Sequence, residues 1–396
     1  MQFQLAVQPC YALDRLNTAG FEAYVVGGCV RDLLRGVAPH DYDICTSAMP
    51  EQITAAFSDC RTILTGVKHG TVTVILNGMP LEITTYRLDG GYADGRHPDS
   101  VSFTADLIAD LARRDFTMNA IAYHPSYGFT DPFGGRNDLE RGMIRCVGQA
   151  NLRFREDALR MLRAIRFEAQ LGFSLDPEVI DAIQENAGWI RQVSRERIRE
   201  ELIQILLSPH PVSGTRRLLC LLGQNIFPGC LLPDETADSM LAYVPAVTPL
   251  RLTAFLSGTP DAEAMLTSLR FSKRLAHEAA ALLQLKHNQY PLTEAGARRL
   301  CHDFSEYSQD AAIFYDAKNE KDGQMEALVN GVLERGEPFS LSALAVDGKR
   351  LCEAGLTPGK EIGRILEQLL DWVMLDPARN QTDLLLEYAK KLRQTP

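Results

Sequence analysis

An α+β architecture, a mixed head followed by an all-helical remainder, is what the 396-residue chain predicts. Three observations carry that expectation. Short β-branched runs broken by turn residues fill residues 1 to about 145. From Asn151 onward the apolar residues recur at helical period and little strand signal returns. The chain is also long for one core, because domains run about 100 to 200 residues. The expected divisions are 1–145, 146–225 and 226–396, the last opening on a segment that contains Pro228, Pro233, Pro245 and Pro249.

The elements follow in order. Tyr24-Val25-Val26 reads as a strand that stops at Gly27-Gly28, and a helix from about Cys29 to Leu34 ends in a turn at Gly36 and Pro39. Tyr42 to Ile44 is a second strand. Thr71 to Leu76 and Leu81 to Tyr86 flank Asn77-Gly78, the strongest short-range signal for a hairpin. Asp89 to Ser100, rich in Gly, Asp and Pro, reads as a mobile loop. Leu152 to Leu171 and Ser194 to Leu207 read as long helices, with another opening at Ser174, Asp176 and Pro177. Further helices are expected over Leu252 to Leu256, Pro260 to Leu269, Lys273 to Lys286, Thr293 to Phe304 and Lys360 to Met374.

Composition removes several classes. Hydrophobic residues at 45% and charged residues at 23% exclude disorder as the main state. No run approaches the ~18 to 20 apolar residues of a membrane helix, and the first residues lack a basic start before an apolar run, so a cytoplasmic, membrane-free protein is expected. The nine cysteines are scattered without CxxC spacing and read as small buried apolar residues. A Walker A loop is missing, the nearest approach being Gly355 to Lys360 with Glu361 where Ser or Thr belongs, and no G-x-G-x-x-G follows a strand.

The net charge of −10 disfavours a nucleic-acid partner at first sight. Its distribution reverses that. Residues 141–170 carry seven arginines against three acids, and Arg191, Arg195, Arg197 and Arg199 follow closely. Arginine concentrated at one junction suits phosphates and base edges, although a solvated helix face has the same composition.

Three constellations carry chemistry. In the first, Gly27-Gly28-Cys29-Val30-Arg31-Asp32 follows a strand, where paired glycines let the backbone approach a ligand and leave helix N–H groups for phosphate. Asp41-Tyr42-Asp43 comes next. On a strand, residues i and i+2 share a face about 6 to 7 Å apart, a spacing of hard oxygen donors suited to Mg²⁺, and Glu82 alternates out of the hairpin as a third carboxylate. In the second, Arg113-Arg114-Asp115, Arg114 suits a triphosphate and Asp115 suits holding it, or the trio is a helix-end salt bridge. In the third, Glu156 to Phe167, Ala158, Met161, Leu162 and Ile165 form one apolar stripe, while Arg160, Arg163 and Arg166 trace a separate arc that includes Leu159 and Phe167. A purely solvated face would not carry that Leu and Phe, so the arc is expected to line a cleft. Asp157 as acceptor and Arg160 as paired donor would accept cytosine and adenine, which offer an amine beside a ring-nitrogen acceptor, and reject uracil and guanine.

The ordered motifs VVGGCVRD, HDYDICT, TGVKHGTVTV, EITTYRLDGGYADGRHPDSVSF, RRDFTMNAIAY, DPFGGRNDLE, EDALRMLRAIRF and SRERIREEL resemble those of class II tRNA nucleotidyltransferases, the CCA-adding enzymes. The resemblance is close over residues 20 to 207 and looser beyond. It implies a polymerase-beta-like nucleotidyltransferase head, then a helical neck, body and tail that hold tRNA, with CTP and ATP added without a template. It further implies that Gly28 and Arg31 contact the incoming nucleotide, Asp41 and Asp43 bind Mg²⁺ with Glu82 as third carboxylate, and Arg114 meets the triphosphate. Asp157 and Arg160 would read the base, and Arg163 and Arg166 complete the site. An A-adding enzyme and a bacterial poly(A) polymerase share the head, and a non-catalytic RNA-binding protein on the same scaffold is the alternative from another class. No protein partner is expected.

Overall fold

The computed structural model describes residues 5–90, 101–227, 235–257, 259 and 262–394. The loop expected over Asp89 to Ser100 lies, from residue 91 on, outside the described residues. The chain divides into two compact units, Met1–Cys230 and Leu231–Pro396.

The first unit opens with α1 (Val7–Thr18), β1 (Ala23–Val26), α2 (Gly28–Leu34), β2 (Asp43–Thr46) and α3 (Pro50–Ala56). Next come β3 (Arg61–Ile63), β4 (Thr71–Leu76), β5 (Met79–Thr85), β6 (Arg87–Asp89), β7 (Val101–Phe103) and α4 (Leu107–Ala112). A 3₁₀ turn at Thr117–Asn119 leads to β8 (Ala122–His124), β9 (Gly128–Thr130), α5 (Gly135–Arg141) and β10 (Met143–Ile144). Seven strands form a mixed sheet in the order β3-β4-β5-β2-β1-β8-β9, in which only the β2–β5 neighbours run parallel. β6 and β7 pair separately. The hairpin turn at Asn77-Gly78 has φ of 49° and 82°, the left-handed pair that a two-residue turn demands.

Alternation along the strands sorts the sheet into two faces. Val25, Ile44, Leu81 and Ile83 join one core with Leu13, Leu16, Ile53 and Phe57, so α1 and α3 cover that side. Val26 and Cys45 join the other core with Tyr86, Leu107, Leu111 and Val147. Each fully buried apolar side chain of this kind contributes about 1.5 to 3 kcal/mol. A period of two therefore puts Asp43 on the Cys45 face, and Glu82, between Leu81 and Ile83, on that same face.

The remainder of this unit is helical: α6 (Ala150–Glu156), α7 (Leu159–Leu171), a short β11 (Ser174–Leu175) beside β10, α8 (Pro177–Asn186), α9 (Arg195–Leu206) and α10 (Pro211–Ile226). The single helix expected over Leu152 to Leu171 is two helices. Asp157 is extended (φ −144°, ψ 106°), and its carboxylate accepts from the Leu159 amide at 3.0 Å, opening α7 as a cap would. Propensity gives no hint of the break, because Glu156 to Met161 contains neither Gly nor Pro. The helix expected at Asp176-Pro177 forms as α8, with Asp176 accepting from the Glu178 amide.

The second unit is helical among its described residues, including the expected Thr248–Ser257, Ala262–Ser268, Lys273–Leu283, Glu294–Phe304 and Lys360–Leu375 and also Ser308–Asn319, Gln324–Glu334 and Thr382–Gln394. Val346, Leu351, Ile365, Leu369, Val373, Leu385 and Ala389 build a separate small core toward its end. Cys29, Cys45, Cys146 and Cys301 are buried as expected, whereas Cys220 is exposed, and every described cysteine is free. No described helix is long and apolar enough to cross a membrane.

Candidate active site

A cleft of about 470 Å³ opens on the Cys45 face of the sheet, walled on the other side by α7. It is lined by Gly28, Arg31, Asp43, Arg114, Asp157, Arg160, Arg163 and Arg166, so eight of the residues singled out from the sequence meet in one place. Gly27, Arg113, Asp115, Asn119, Leu159, Phe167, Gln170 and Arg197 complete the wall.

Backbone geometry fixes the near wall. Gly27, between β1 and α2, holds φ of +82°, a region L side chains rarely adopt. A Cβ there would lie 3.3 Å from Arg114 Nη1 and 3.7 Å from Asp43 Oδ2. The glycine thus lets an arginine and a carboxylate close over the β1–α2 turn. Asp43 and Glu82 are register partners across β2 and β5, and both side chains are exposed, as is Asp41 two residues earlier. The Asp43 carboxyl is pushed up to about 6, first by partial withdrawal from water, then by Asp41 and, less strongly, Glu82; Arg114 opposes the shift. This is an acidic cluster whose members repel one another. Asp41 and Glu82 flank the cleft beside Asp43 rather than line it.

The cations are held by partners distant in sequence. Arg114 is paired with Asp110 at 3.3 Å. Asp115, expected to hold Arg114, instead binds Arg163 of α7, its Oδ2 accepting from Nε at 2.8 Å with Nη2 2.7 Å away in the ion pair. Burial pushes the Asp115 carboxyl up, but Arg163 and Arg160 outweigh it and hold the value down at about 2. Arg31 donates to Asp32 at 2.9 and 3.1 Å and to Asn119 Oδ1 at 3.1 Å. Arg166 stands 3.1 Å from Glu201 without hydrogen-bond geometry, and burial pushes the Glu201 carboxyl up despite Arg166 and Arg163. The guanidiniums of Arg31, Arg163 and Arg166 surround the Phe167 ring at 5.3, 5.7 and 4.5 Å from its centroid, so the predicted arc does line the cleft together with its aromatic residue.

The far end holds Asp157 and Arg160. Arg197 of α9 grips Asp157 in a fork, Nη2 to Oδ2 at 2.7 Å and Nη1 to Oδ1 at 3.3 Å. Arg160 is buried, bonded to Glu156 at 2.5 Å and to the Arg113 carbonyl at 3.2 Å. Sequence reasoning left Arg197, Glu156, Asn119 and Asp110 without roles. Arg197 was visible only as part of the arginine excess, because nothing local signals a partner 40 residues away.

Residues 23–145 match the family described as Poly A polymerase head domain, and residues 172–230 match the probable RNA and SrmB-binding site of polymerase A. The CCA-adding enzyme of Lactiplantibacillus plantarum is 34% identical over 391 residues, covering 96% of this chain and 94% of that protein. That of Latilactobacillus sakei is 36% identical, covering 96% of each. Among solved structures, the Bacillus stearothermophilus CCA-adding enzyme in complex with CTP superposes with a TM-score of 0.82 at 31% identity, covering 98% of this chain and 97% of that one. The Thermotoga maritima CCA-adding enzyme complexed with tRNA shares the fold, with a TM-score of 0.69 at 23% identity and 99% of each chain covered. With the acid cluster, the arginine-lined cleft and this full-length likeness together, the chain belongs to the family of CCA-adding enzymes, the tRNA nucleotidyltransferases.

Proposed function

We propose that this protein adds the terminal CCA to tRNA without a nucleic-acid template, transferring CMP twice from CTP and AMP once from ATP to the 3′-hydroxyl, with pyrophosphate leaving. The observation that carries the reading is the meeting in one cleft of Asp43, Arg113 and Arg114 with Asp157 and Arg160. Acid for the transfer point, cations for a triphosphate and an acceptor–donor pair for a base edge stand within one nucleotide's reach. The activity named for the relatives supports the same reading, and a cytoplasmic setting goes with it.

Mg²⁺ fits the donors on the β2–β5 edge. Asp41, Asp43 and Glu82 offer hard oxygens whose mutual repulsion a divalent cation relieves. No closed cage of three or more acid, His or Cys side chains exists among the described residues, and Mg²⁺ characteristically takes only one or two carboxylates, leaving the rest of its shell to substrate phosphates. When bound there it supplies hydroxyl activation and neutralisation of pyrophosphate.

The chain's own residues select and orient the nucleotide. Arg114 and Arg113 receive the triphosphate, Gly28 lets the backbone approach it, and Arg31, Arg163 and Arg166 flank it. Each Asp157 oxygen can accept two bonds, and Oδ2 takes only one from Arg197, which leaves an acceptor for the exocyclic amine of cytosine or adenine. Arg160 donates to the adjacent ring nitrogen. Uracil and guanine present a carbonyl beside an N–H and would leave both charges unmatched.

The test offers tRNA lacking CCA, and tRNA ending in CC, to CTP, ATP, UTP and GTP singly and mixed. Two Cs followed by one A is expected. A single A only on the CC-ending tRNA identifies an A-adding enzyme, long A tails a poly(A) polymerase, and binding without incorporation a non-catalytic protein; each overturns the proposal.

A further inference from the structure

Asp110, one helical turn before Arg114, is fully buried. A carboxylate stripped of water persists only where donors fill its lone pairs. Here Oδ1 accepts from the Arg87 amide of β6 at 3.2 Å and from Arg113 Nε and Nη2 at 3.0 and 2.9 Å, while Oδ2 accepts from Arg114 Nη2 at 3.3 Å. The i,i+3 and i,i+4 spacing brings both guanidiniums onto the one acid. Both arginines line the cleft, and Arg114 Nη1 closes with Asp43 Oδ2 over Gly27. The Asp110 carboxylate itself does not line the cleft and so touches no substrate.

Resting on the reading of the cleft above, we propose that Asp110 is the positioning residue that sets Arg113 and Arg114 as one rigid cation pair for the triphosphate. Two adjacent arginines repel, and each has a long stem whose freedom must be lost when phosphate binds. One buried acid between them removes both costs in advance, the preorganisation that makes a charged site effective. Its bond to the β6 amide ties the pair to the backbone of the β6–β7 hairpin as well.

This account makes a prediction opposite in sign to simple charge counting. Asp110→Asn raises the net positive charge beside the triphosphate, so Coulomb attraction alone would lower KM. Loss of position raises it. We expect KM for CTP and for ATP to rise about 10-fold, with kcat at saturating nucleotide changing less than about threefold, and the Ki of inorganic tripolyphosphate to rise in parallel. In an Arg113→Ala/Arg114→Ala background the same substitution should change KM less than about twofold, since both residues through which it acts are gone. Arg114→Lys keeps the charge but cannot span acid and phosphate with a planar fork, so its KM should rise about fivefold; this cleft-facing variant decides the matter if Asp110→Asn does not fold. A KM unchanged or lowered in Asp110→Asn, or unchanged in Arg114→Lys, overturns the inference. If Arg114→Ala alone leaves nucleotide KM unchanged, the reading of the cleft fails instead.

Discussion

Asp157 carries two loads that one substitution separates. Its Oδ1 caps α7 through the Leu159 amide, and its charge meets Arg197. Asp157→Asn keeps the size and a capping oxygen, so the fold should stand, because Asn caps about as well as Asp. What changes is that one acceptor becomes an N–H₂ donor facing Arg197 and the nucleotide. The ratio of kcat/KM for CTP and ATP over UTP and GTP should then fall about 10²-fold or more. Measuring CTP and UTP on tRNA lacking CCA, and ATP and GTP on tRNA ending in CC, checks this, and an unaltered ratio removes Asp157 from base reading. The residue types of this site were legible in the sequence because Asp-x-Asp, Arg-Arg-Asp and Glu-Asp-x-x-Arg each bring their chemistry locally. The partners were not. Arg197 reaches Asp157 and Arg163 reaches Asp115 across 40 and 48 residues, so only the folded chain shows that Asp115 serves α7 rather than its neighbour Arg114.

That Asp115–Arg163 pair joins the loop leading into the 3₁₀ turn of the head to α7, and its electrostatics predict how the junction responds to acid. The Asp115 carboxyl lies at about 2, below its ordinary 3.8, so the ionised form is favoured by folding. A depressed folded value contributes stability that is complete above about pH 4 and is lost as pH falls toward 2. The shift corresponds to about 2 kcal/mol, of which roughly 1 kcal/mol should be gone by pH 3. Urea unfolding at pH 5 and pH 3 should therefore show the gap between wild type and Asp115→Asn narrowing by about 1 kcal/mol; a constant gap would mean the pair does not hold the junction. The elements around it were unequally legible. The hairpin at Asn77-Gly78 announced itself because two left-handed residues satisfy a local rule, and the α7 stripe because 3.6 periodicity is local. The break between α6 and α7 was invisible, since a capping carboxylate fixed by α9 sets it rather than a helix-breaking residue.

Across the whole chain, charge is segregated rather than merely acidic. A net of −10 accompanies a cleft lined by seven arginines and three aspartates, Asp43, Asp115 and Asp157. Each of those arginines already faces a carboxylate, Asp32, Asp110, Asp115, Glu156, Asp157 or Glu201, so little unpaired positive charge is left for nucleotide and tRNA phosphates. The rest of the chain carries more acids than bases, so general electrostatic attraction for RNA outside the site is weak and few counterions should be released on binding. Each phosphate contact contributes about 0.7 to 0.9 to the slope of log affinity against log salt. The tRNA KM should accordingly rise with a slope below about 5 between 50 and 200 mM salt, and unstructured polyanions such as poly(U) should compete poorly at the upper end. Initial rates against tRNA concentration at four ionic strengths give that slope directly. A value near 10, with strong competition by poly(U), would show that binding spreads over a broad basic surface, contradicting the weak general attraction expected of a chain with this excess of acids.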